Sequence, residues 1–259
     1  MTFSDALMTA ARRYCMEHIT YWTNRYQQER TGEDFPEYTY TDNDYNLFPR
    51  YNILQAILGE IELLTGQNDV SRDTLAEIGR TAQLPFSAEI EHPVEAAAIA
   101  EERAKFIDFI HHITTEALAQ TPPLPYRRRL NEEDKQAVDQ QLLERWNYDG
   151  NYWDPVDPKC PTGVIYLHTT HLTANDYAAL THFISAYAAP YVLEITEEGI
   201  ITAIPSGDFR PEKEECAYCD EDYNWVIYCS HESTITFAGE QLQAFIRELF
   251  AGRENLLLE

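Results

Sequence analysis

The feature that most constrains this chain is a change of apolar period across a proline-rich break. Residues 121–130, TPPLPYRRRL, place three prolines within five residues and then three arginines. Proline lacks a backbone N–H and cannot continue a helix, so a linker or exposed crossover is expected there. Before the break, apolar residues recur at helical spacing; beyond Gly150 they gather into short β-type runs.

On the helical side, residues 4–30 form an amphipathic pattern with Ser4 available as an N-cap and Thr31-Gly32 as the stop. The stretch 33–50, EDFPEYTYTDNDYNLFPR, holds two prolines and many Asp, Asn, Thr and Tyr residues and reads as a loop. Helical spacing resumes over 51–64, again from Ser71 to about Leu84, and then over one long helix from Pro93 to about Gln120. After the break, Asn131 caps a helix to Trp146 with Glu132, Glu133 and Asp134 in its first turn, where acids favour the helix dipole.

Beyond that point, 163–168, 191–196, 200–204, 225–229 and 234–237 read as strands, with helices over 174–187 and 239–250. The expected fold is α+β: a helical N-terminal half packed on a C-terminal mixed or antiparallel sheet carrying two helices on one face. The regions are 1–120, the crossover 121–130, and 131–259, with one continuous domain also compatible. At 259 residues the chain can bury a sizeable core without staples.

Charge bears on partners. The formal net charge is −25, made of 20 acids against 9 bases in residues 1–120 and 24 against 10 in 121–259, so it is no detachable tail. Such a field repels phosphate backbones and anionic membranes and attracts basic protein surfaces. Simple solubility is the plain alternative. The beginning of the chain shows no export signal, and no window reaches the apolar length of a membrane helix. Five cysteines make no disulfide framework, so reduced thiols and a cytoplasmic location are expected.

Three constellations hold residue types that can carry chemistry. Cys216 and Cys219 form a CxxC pair which, with Cys229 and His231, has the composition of a Cys₃His zinc site; two buried or incidental cysteines are the simpler reading, and no cofactor is the expectation. Adjacent His111 and His112 point about 100° apart on a helix and cannot share an ion, and the HExxH spacing is absent. Ser230, His231 and Glu232 are neighbours in sequence, but a triad is assembled in space. There is no GxSxG elbow, phosphate-binding glycine loop or kinase signature.

What remains is surface character. Tyr38, Tyr40, Tyr45 and Phe48 share an acidic segment, as do Glu214, Glu215, Tyr218, Asp220 and Asp222. Acid with tyrosine is suited to a basic protein partner, since tyrosine supplies large contact area at low entropy cost. Trp146 and Trp153 are expected to pack the two halves together. The expected function is therefore protein binding, for instance by an inhibitor or immunity protein that neutralises a basic toxin or enzyme. The alternatives are a metal-dependent or hydrolytic enzyme using His168, His171, His231 and Glu232, and an acidic scaffold.

Overall fold

A computed structural model describes residues 2–33, 37, 39–83, 92–150, 153, 163–187, 190–213 and 215–258. The chain divides into two compact units, Met1–Leu124 and Pro125–Glu259.

The first unit is helical. Helix α1 (Phe3–Glu29) starts two residues ahead of the sequence expectation, because Thr2 and Asp5 form a capping box. Ser4 is not the cap: it is buried, and its hydroxyl donates to the carbonyl of Val70 at 2.9 Å. Helix α2 (Asp42–Leu63) corrects the expectation of a loop up to residue 50, since Thr41 and Asp44 make a second capping box and Pro49 lies inside the helix. The proline cannot donate to the preceding turn. One residue on, Arg50 Nε donates to the carbonyl of Asn46 at 2.7 Å, which anchors this side chain along the helix and does not replace the bond that Pro49 denies to Tyr45.

Helix α3 (Arg72–Thr81) is capped by Ser71. The expected helix over 93–120 is two helices, α4 (Pro93–His112) and α5 (Thr115–Gln120). The break has a local cause. Thr114 caps the second piece, and the Arg72 guanidinium donates to the carbonyls of Ile110 and Ile113, which a continuous helix would use itself. The core gathers Leu7, Leu47, Ile53, Ile57, Leu75 and Phe106, all fully buried, each contributing about 1.5–3 kcal/mol relative to exposure.

The second unit is built on a sheet. Its elements are β1 (Arg128–Arg129), α6 (Glu132–Trp146), β2 (Ile165–His168), α7 (Ala174–Tyr187), β3 (Tyr191–Thr196), β4 (Ile201–Pro205), β5 (Cys216–Cys219), β6 (Val226–Cys229), β7 (Thr234–Ala238) and α8 (Glu240–Leu249). The strands form one seven-stranded sheet in the order β1-β4-β3-β5-β6-β7-β2, and every pairing is antiparallel.

Two strands depart from the sequence reading. β1 lies within the proline and arginine crossover, as an edge strand beside β4, where charged residues are tolerated. β5 lies in the acidic segment, where no strand was expected. All four of its residues are buried, so it has no polar and apolar alternation to betray it.

Helices cover both sheet faces, not one. Leu180 and Ile184 of α7 and Leu242 and Ile246 of α8 pack with Val192, Tyr218 and Ile227. Val138 and Leu142 of α6 pack on the other side with Leu193, Ile195 and Tyr228. Trp146 and Trp153 join that second cluster, and Trp153 Nε1 donates to the Trp146 carbonyl at 3.1 Å. Both rings are thus built into the second unit.

Candidate functional site

The sequence-derived zinc ligands do not converge. Side chains alternate across a strand, so Cys216 and Cys219, three apart on β5, face opposite sides of the sheet. Cys216 belongs to the cluster with Tyr218 and Cys229, whereas Cys219 sits with Ala217 and Tyr228. His231 is exposed beyond the end of β6 and pairs with Glu215 and Glu232. Among the described residues, no group of three or more His, Cys, Asp or Glu is placed to hold a metal ion. Burial pushes all three thiols up, Cys216 to about 11, so thiolates are disfavoured.

Ser230, His231 and Glu232 form no relay. The Ser230 hydroxyl accepts from the Glu232 amide at 3.1 Å, and Glu215 takes both the ring and the backbone N–H of His231. His168 and His171 lie near this end of the sheet, with His168 paired opposite Thr234 and the two imidazoles 6.1 Å apart.

The C-terminal acidic segment is split by β5. Tyr218 is fully buried, its hydroxyl donating toward Glu194 and the Arg210 carbonyl, so it offers no contact surface. Asp220 is also buried and accepts from the backbone and side chain of Asn224 at 2.6 and 2.8 Å. It builds the turn into β6. Glu215 and Asp222 flank opposite ends of the strand, and Glu214 lies outside the described residues.

The N-terminal acidic and aromatic segment holds together better. Asp44 is the organising group: its carboxylate accepts from Thr31 N at 2.9 Å, Gly32 N at 2.8 Å, Thr41 N at 2.8 Å and Thr41 Oγ1 at 2.9 Å. Burial pushes this carboxyl up, but the hydrogen bonds from Thr41, Thr31 and Gly32 outweigh it and hold it below the ordinary value. Gly32 is required by close approach, because a Cβ there would meet the Thr39 carbonyl oxygen at 1.9 Å. Glu33 N donates to Thr39 Oγ1 at 2.8 Å.

On this frame Tyr40 is 48 % exposed, over a cluster of half-buried rings. Its centroid lies 5.9 Å from Tyr45 and 5.5 Å from Phe48, and Tyr45 stacks on His92 at 3.9 Å. Glu33, Glu37 and Asp42, its near neighbours in sequence, are exposed. Tyr38 lies outside the described residues. The described residues thus set exposed acids beside an aromatic cluster.

A second place in the first unit was not visible in the sequence. Glu17, His18, Tyr21 and Trp22 of α1 and Glu102 and Lys105 of α4 line an open pocket of about 480 Å³. Glu102 is fully buried and its Oε1 takes Arg50 Nη1 at 2.6 Å and Lys105 Nζ at 3.0 Å. Glu101 takes the other Arg50 nitrogen at 2.7 Å and Lys105 at 2.7 Å. Its carboxyl is lowered to about 2 by the Lys105 and Arg50 hydrogen bonds. Arg50 Cζ also lies 4.7 Å from the Trp22 ring centroid.

Two atoms of this arrangement are buried without a hydrogen-bonding partner: the acceptor Glu102 Oε2 and the donor Trp22 Nε1. Each such group costs about 1–3 kcal/mol. The acid at 102 gives no sequence signal of its own, because it sits in a run of charged residues at the start of EERAK.

No helix among the described residues is long and apolar enough to cross a membrane. Comparison with protein families, with curated proteins and with solved structures gives no match.

Proposed function

We propose that this chain is a binding protein for a basic protein partner, an inhibitor or immunity protein in kind, and that it docks through the surface centred on Tyr40. The observation that carries the reading is an exposed tyrosine beside Thr41, which with Thr31 and Gly32 is held by the Asp44 carboxylate. The net charge of −25 favours a cationic partner and speeds its approach. Cytoplasmic residence belongs to the same proposal; the free thiols of Cys216 and Cys229, directly opposed across β5 and β6, support it.

The test is site-specific photocrosslinking, with a photoreactive phenylalanine analogue at Tyr40 and a control at Leu143, which is 49 % exposed in the second unit. The reading expects one basic protein captured from Tyr40 and not from Leu143. Equal capture at both positions, or none from Tyr40, defeats it.

A further inference from the structure

We propose that Cys216 and Cys229 are a thiol oxidation site, where a low-molecular-weight disulfide converts the pair reversibly into a cross-strand disulfide. The site lies in the second unit and does not depend on the Tyr40 surface.

The register brings the two side chains together. Cys216 and Cys229 are directly opposed across β5 and β6, and both belong to the core cluster on the α7 and α8 side. The turns on either side fix which kind of rung they form. Ser230 N donates to the Thr234 carbonyl, so alternation along β6 turns the backbone groups of Cys229 toward β5. Thr196 N donates to the Ile200 carbonyl, and the same alternation turns Ile195 toward β5, Ala217 toward β3 and Cys216 toward β6. The pair is a hydrogen-bonded rung. Its Cα atoms stand about 5.5 Å apart, inside the disulfide range of about 4.4–6.8 Å. Cβ atoms on such a rung lie about 5 Å apart and a disulfide draws them to about 4 Å, so the bond is easily reduced. Cys219 cannot replace either partner, because it belongs to the opposite face.

Position supplies access. Cys216 opens β5, Cys229 closes β6 and Thr196, opposite Cys216, closes β3, so the pair occupies the last rung at one end of the sheet. Both thiols are buried, and opening this one rung uncovers them, since strand ends open at lower free energy than the core. Burial pushes the Cys216 thiol up to about 11 against the opposing pull of Lys213, and burial pushes Cys229 well above its ordinary value, so Cys216 attacks first. Its thiolate attacks one sulfur of the small disulfide and releases one thiolate. Cys229, giving up its contact with the Pro211 carbonyl at 3.3 Å, then attacks the Cys216 sulfur of the mixed disulfide and releases the second. The two cysteines lose two protons and two electrons, which the small disulfide takes up as two thiols.

The experiment treats the folded full chain with oxidised glutathione in native buffer, blocks the remaining thiols and maps the peptides without reduction. The expected product has lost the mass of two hydrogens and carries a peptide joining Cys216 to Cys229. Excess reduced glutathione should return it to the starting mass, with circular dichroism unchanged throughout. Cys219→Ala should oxidise as wild type does, whereas Cys216→Ala and Cys229→Ala should lose this bond and gain none to Cys219. The wild-type peptide map decides the matter even if a variant fails to fold. An unchanged mass, glutathione adducts without the Cys216 to Cys229 link, a link to Cys219, or a link that forms only in urea would each overturn the proposal.

Discussion

Cys216 and Cys219 stand on opposite faces of β5, one among the α7 and α8 side of the core and the other on the α6 side. A CxxC spacing brings two thiolates together in a loop or turn, and an extended strand separates them. Treatment with a chelator is therefore expected to leave the melting temperature unchanged, and elemental analysis to find less than stoichiometric zinc. One zinc per chain with a fall in melting temperature would contradict the strand geometry.

Asp44 holds four donors, so its removal should be costly. Asp44→Ala is expected to destabilise the first unit by about 3 kcal/mol, from the lost charge-assisted bonds and the lost capping box. The pH sign follows from its lowered carboxyl. Its contribution is present above the unfolded value near 3.9 and is lost as pH falls through the lower folded value. Denaturant midpoints measured for wild type and variant should converge in acid and separate by pH 6.

At Gly79 the backbone of α3 approaches α4 closely, and a Cβ would meet Phe106 Cδ1 at 2.8 Å and Ile107 Cγ1 at 2.9 Å. Gly79→Ala gains about 1 kcal/mol of helix propensity. Crowding against the fully buried Phe106 should outweigh that and leave a net loss of about 1 kcal/mol in urea unfolding. A stabilised variant would mean that the two helices separate easily.

His231 titrates above its ordinary value, chiefly through its hydrogen bond to Glu215. The sign is opposite to that of Asp44: the pairing is fully present below the unfolded histidine value near 6.5 and is lost as pH rises through the higher folded one. An NMR titration should place the His231 midpoint above that of a free histidine, and Glu215→Gln should return it toward normal. An unmoved midpoint in the variant would remove Glu215 as the cause.

The helices and strands that carry a clear period were legible in sequence, as the boundaries of α6 and of β3 show. Where reading failed, a local rule had been outvoted. Pro49 signalled a loop, yet the capping box at Thr41 and Asp44 starts a helix that runs through it. The acidic segment around Cys216 carried no strand pattern, yet CAYC is buried on both faces and pairs with two neighbours. Tyr40 was legible as an exposed ring in an acidic segment, whereas Tyr218 in a similar setting proved to be core. The Trp22 and Glu102 pocket was not legible, because it joins residues 80 positions apart through two helices whose packing no single-residue pattern records.

The central claim, a basic partner docked at the Tyr40 surface, is tested most directly by binding kinetics against the crosslinked partner as a function of ionic strength. Wild type is expected to associate fast and to slow steeply as salt screens the field, and Glu33→Lys with Asp42→Lys to associate more slowly with a flatter salt dependence. Tyr40→Ala should keep the association rate and dissociate roughly thirtyfold faster, the equivalent of about 2 kcal/mol at an anchor ring. Salt-independent association, with all three proteins showing the same rates, would contradict the account.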